Sequence, residues 1–101
     1  MNILPQEVAN RRIIGSLDGQ DVYQIGLKGG LFILAKASKG QLEVIGSGPH
    51  RLVAQHVARK LHPRLIITEL LKSEGVQEAH FIRQVPYYVE LTNRLNSVVN
   101  G

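Results

Sequence analysis

E-V-I-G-S-G-P-H-R-L-V-A-Q-H-V-A-R-K-L-H-P-R, residues 43–64, reads as the end of a strand, a Gly-Ser-Gly turn, one basic amphipathic helix and a proline stop. Val44 and Ile45 are β-branched and favour a strand. Gly46 and Gly48 accept backbone angles that other residues resist, which suits a turn out of a sheet. Pro49 suits the first helical position, where its missing N–H would lack a partner in any case. On a 3.6-residue period, Val53, Ala54, Val57, Ala58 and Leu61 share one face with His50, while Arg51, Gln55, Arg59 and His62 line the opposite face. Pro63 disfavours helical geometry at His62 and stops the helix there.

Upstream of this stretch, turn signals recur at Asp18-Gly19, Gly29-Gly30 and Lys39-Gly40. Asp-Gly and Gly-Gly favour tight hairpin loops because they accept positive φ. The runs between them, Ile13–Leu17, Asp21–Leu27, Leu31–Ala37 and Gln41–Ile45, are rich in strand-forming residues, so the spacing predicts an antiparallel meander. Leu31–Ala37 is apolar on both faces and is expected in the sheet interior. Downstream, Leu65–Thr68 reads as a fifth strand, and Ser73-Glu74-Gly75 as a turn. Residues 76–85 are compatible with strand or helix. Pro86 then opens a final helix with Tyr88, Leu91, Leu95, Val98 and Val99 on one face. Residues 1–11 read equally as an arm or a short helix. The expected architecture is one small α+β domain over residues 1–101: a four-stranded antiparallel meander covered by a helix, then a further strand and a C-terminal helix.

The bulk properties limit what such a domain can be. With 101 residues, 44% apolar and 20% charged, the chain has an ordinary globular composition. No apolar run approaches the roughly 18 residues of a membrane span, and M-N-I-L-P-Q-E has no basic region followed by an apolar stretch. There is no cysteine, hence no disulfide, thiolate nucleophile or Cys-based zinc site. These features lead to an expectation of a cytoplasmic protein with no membrane partner.

The net charge of +4 is unevenly placed. Residues 22–68 hold seven bases (Lys28, Lys36, Lys39, Arg51, Arg59, Lys60 and Arg64) against one acid, Glu43, a net +6. Residues 1–21 hold two bases against three acids, and residues 69–101 three against four, so each flank is −1. A basic centre between acidic ends suits a polyanion, although a solvated face would look the same.

Enzymatic readings find little support in the sequence. The Gly46-x-Gly48 turn lacks the third glycine of a dinucleotide fingerprint, because residue 51 is Arg. His50, His56 and His62 recur every six residues, a poor spacing for one metal-ligand face, and there is no H-E-x-x-H pattern. Ser47 near His50, or Asp18 and Asp21, make no assembled nucleophile, base and orienting group. No catalytic residue, metal or cofactor is expected. The five aromatics do not interleave with the bases, which favours phosphate contacts on a duplex over stacked single strands.

Residues 21–62 resemble the double-stranded-RNA-binding domain. The run V-I-G-S-G-P-H-R-L-V-A-Q-H-V-A follows a meander and carries Gly46, Gly48, Ala54 and Ala58 at positions matching that family's second-helix signature, with Arg51 in place of the first of its two phosphate-gripping lysines. The resemblance implies an α-β-β-β-α domain whose helix N-terminus grips phosphates across a major groove. His50 stands where the family has Ser, and Leu52 where it has the second Lys. The Lys28-Gly29-Gly30 loop is shorter than the family's minor-groove loop, no full first helix is evident before Arg12, and the last 39 residues have no counterpart.

The functional expectation is a small non-enzymatic protein that binds duplex nucleic acid through its phosphate backbone. Gly48, His50, Arg51, Gln55, Arg59, Lys60 and Arg64 would form the surface, with Lys36 and Lys39 adding to it. The alternative is a protein–protein interaction or assembly module using a sheet edge or the final helix, with an acidic protein partner or a second copy in a homo-oligomer.

Overall fold

Three tight turns build the sheet. Asp18 and Gly19, with φ of 51° and 82°, close a two-residue turn between the paired residues Leu17 and Gln20. Positive φ at both central residues matches the right-handed twist of the strands they join. Gly29 and Gly30 at 89° and 82°, and Gly40 at 76°, do the same work in the next two turns. The computed structural model describes residues 12–38, 40–68 and 78–100, so Lys39 lies outside the described residues. The elements are β1 (Arg12–Leu17), β2 (Gln20–Leu27), β3 (Leu31–Ser38), β4 (Gln41–Gly48), α1 (Arg51–Leu61), β5 (Ile66–Ile67) and α2 (Glu78–Asn100). The sheet order is β4-β3-β2-β1-β5 with antiparallel neighbours throughout, an α+β fold.

β3 is interior, as its two apolar faces require. Leu34 packs in one cluster with Ile14, Leu17, Val22 and Ile45, beneath Ala54 and Ala58 of α1. Ile33 and Ala35 lie on the other face with Ile25, Val44 and Leu95. A third cluster joins Leu52, Val53 and Val57 of α1 to Val85, Tyr88 and Val89 of α2. The sheet and α2 thus hold α1 on two sides, and α2 runs on past β4 to the opposite sheet face.

Several boundaries differ from the sequence reading. β4 continues through Gly46 and Gly48, which pair with Leu34 and Phe32; the Gly-Ser-Gly segment is strand rather than turn, and neither glycine has positive φ. The glycines instead let α1 approach. A Cβ on Gly46 would lie 2.5 Å from the Ala54 carbonyl oxygen, and one on Gly48 would lie 2.8 Å from Val53. α1 opens at Arg51, not Pro49, because His50 is the N-cap and its Nδ1 accepts from the Leu52 N–H at 3.2 Å. β5 is only Ile66–Ile67; Leu65 is buried, and Thr68 donates through N–H and hydroxyl to the Ile14 carbonyl at 2.8 and 3.0 Å. α2 begins at Glu78, so residues 78–85 are helix and Pro86 lies inside rather than at the start. Proline deprives the carbonyl four residues earlier of its partner. That residue is Ile82, which is 56% exposed.

α2 also closes one edge of the sheet. Asn96 mimics a neighbouring strand: its Nδ2 donates to the Val44 carbonyl, and its Oδ1 accepts from the Val44 N–H at 2.8 Å. Nearby, the Ser47 and Thr92 hydroxyls are 2.7 Å apart, both fully buried. An open strand edge is a template for pairing with other chains, and side-chain cover removes it. Asn96→Ala leaves both Val44 groups unpaired and should lower unfolding free energy by about 1–3 kcal/mol, as measured by urea titration.

Candidate nucleic-acid interface

α1 carries no acidic residue, and its last turn holds Arg59 and Lys60. Its N-terminus likewise has no acid in the first turn to offset the positive end of the helix dipole. Arg51, Arg59 and Lys60 are exposed, as is the capping His50. Arg51 and Arg59, eight residues apart, stand about 12 Å from each other along the axis. His56 is half-buried beside them.

The other expected members are placed differently. Gln55 is only 6% exposed and does not line a solvated face. A helix held by a sheet and a second helix buries a wider arc than one apolar stripe, and residue 55 falls inside it. Gln55 Nε2 is buried without a hydrogen-bond partner, as is Gln24 Oε1; a phosphate cannot reach an amide so enclosed. Gly48 is buried within β4 against Val53, so it serves packing and does not form a phosphate cradle. His50 is exposed at the cap, not packed on the apolar face.

Two cations are already engaged. Lys36 Nζ lies 3.5 Å from Glu43 Oε2 and its side chain is 16% exposed. Arg64, beyond the end of α1, lies 4.0 Å from Asp18 Oδ1, with both side chains largely in solvent at 88% and 59%. Lys36 and Glu43 are direct cross-strand neighbours in the β3–β4 hairpin, whereas the Arg64–Asp18 pairing joins segments far apart in sequence and has no local sign. The structure therefore leaves Arg51 exposed at the start of α1 and Arg59 and Lys60 exposed in its last turn, with Lys36 and Arg64 facing acids.

Among the described residues, no three or more His, Asp or Glu side chains group to hold a metal. No helix among them is long and apolar enough to cross a membrane.

No family model matches the chain, no curated protein matches it and no solved structure matches it.

Proposed function

We propose that the protein binds duplex nucleic acid non-enzymatically, through phosphate contacts from Arg51, Arg59 and Lys60. The observation that carries this reading is the set of exposed residues of α1, Arg51 at its start and Arg59 and Lys60 in its last turn, which holds three cations and no acid. Cations at these positions would displace condensed counterions from a polyanion, and that release drives association at low salt. The partial likeness of residues 21–62 to the double-stranded-RNA-binding domain points to the same partner, with Arg51 in the gripping position. The buried Gly46, Gly48, Ala54 and Ala58 support it only indirectly, since here they let helix and strand pack closely.

Neutralising Arg51 and Arg59 together, as Arg51→Gln/Arg59→Gln, tests the proposal. Each lost phosphate contact removes about 0.9 from the slope of log affinity against log salt, so the double variant should flatten it by about 1.8. Binding should weaken alike on all sequences, because phosphate contacts position without reading bases. The melting temperature should stay unchanged, as both side chains are exposed. An unchanged slope would remove these arginines from the interface.

A second reading, an interaction module, draws on the exposed apolar residues. Ile13 and Ile66 are 54% and 59% exposed on neighbouring strands, and Ile82 and Tyr87 are exposed on α2. For the sheet-edge form of this reading, the β5 side is the more open, because Asn96 already bonds both backbone groups of Val44 on the β4 edge. Leu95 packs against the sheet and is not free for a partner; Val98 has a side chain outside the described residues.

A further inference from the structure

A cleft of about 240 Å³ opens at the C-terminal end of α1, between the β1–β2 turn and the segment after the helix. Its walls are Leu17, Leu61 and Pro63, and its polar groups are Asp18, His62 and Arg64. It adjoins the turn that carries Arg59 and Lys60. We propose that Asp18 is a built-in competitor for phosphate at Arg64, holding that arginine out of the interface and limiting the affinity of the basic helix for polyanions; this rests on the phosphate-binding reading above.

The backbone segments that carry both partners are fixed. Asp18 occupies a positive-φ position in a two-residue turn whose flanks, Leu17 and Gln20, are paired. Arg64 lies between Pro63 and the buried Leu65, whose N–H donates to the His62 carbonyl at 3.0 Å. The carboxylate therefore faces Arg64 without either chain segment having to move. Carboxylate and phosphate oxygens seek the same guanidinium donors, so the two compete for them. The pair is long, at 4.0 Å, and solvated, so its effect is modest. An exposed pair of this kind alters an equilibrium by about two- to fivefold.

Asp18→Asn isolates the effect. Asparagine accepts positive φ as readily as aspartate, and Asn-Gly is a favoured pair for this turn, so the hairpin is retained. Asp21→Asn makes the same change in net charge at an exposed acid that has no ion pair among the described residues. With a duplex RNA and a duplex DNA as probes, Asp18→Asn should tighten binding about two- to fivefold and steepen the salt slope by about 0.9, as Arg64 gains a phosphate. Asp21→Asn should leave the slope unchanged. In an Arg64→Gln background, Asp18→Asn should do no more than Asp21→Asn. If the wild type binds and the two asparagine variants are indistinguishable, the competition is overturned while phosphate binding stands. If neither wild type nor Asp18→Asn binds either duplex, both fall together.

Discussion

Val57→Asp is expected to lower the stability of the domain by about 4 kcal/mol, whereas Arg59→Asp, two residues along the same helix, should cost no more than about 1 kcal/mol, through the helix dipole. Val57 is fully buried in the cluster that joins α1 to α2. A carboxylate there would be unpaired and cut off from water, and it would also break contact with Val85 and Val53. Arg59 is exposed. Thermal melts of the two variants read the difference directly; equal melting temperatures would contradict the placement of α1 between sheet and helix.

Gly46→Ala should destabilise by about 2–3 kcal/mol, the range of an overpacked core. The added Cβ would lie 2.5 Å from the Ala54 carbonyl oxygen, 2.7 Å from the Ala58 Cβ and 2.9 Å from the Ala58 nitrogen. Two of these neighbours are backbone atoms of a helix, which cannot rotate away as a side-chain tip can. The helix must instead lift from β4, loosening Ala54, Ala58 and Leu34, all at 0% exposure. Gly26→Ala is the matched control, since its Cβ would meet only the Phe32 ring, at 3.5 Å, an ordinary contact. A Gly46→Ala variant as stable as Gly26→Ala would show that close approach does not hold α1 in place.

The meander was legible in the sequence because its turns are chemically specific. Asp18-Gly19 and Gly29-Gly30 can take positive φ at little cost, and the residues between such pairs had to be strands. α1 was legible from the spacing of Val53, Ala54, Val57 and Ala58, and its end from Pro63. Three features were hidden because they depend on contacts distant in sequence. Gly46 and Gly48 suggest a turn locally, yet their lack of a side chain serves the approach of a helix that lies later in the chain. Gln55 falls on a polar face by periodicity alone, but a second packing partner widens the buried arc to include it. Pro86 signals a helix start, while the packing of Val85 and Tyr88 on α1 carries the helix through it. The candidate site was half legible for the same reason. Arg51, Arg59 and Lys60 follow from the helix, and Glu43 opposite Lys36 from the register of the β3–β4 hairpin, but Asp18 opposite Arg64 depends on the tertiary fold.

The central claim is that α1 presents a phosphate-binding face, and a salt titration of wild-type binding to duplex RNA, duplex DNA and single strands tests it most directly. Three contacts, from Arg51, Arg59 and Lys60, give an expected slope of log affinity against log salt near −2.7 on either duplex. Single strands should bind more weakly and with a shallower slope, since no aromatic platform accompanies the cations. Folded protein that binds neither duplex at low salt, or binds with a slope near zero, would contradict the claim.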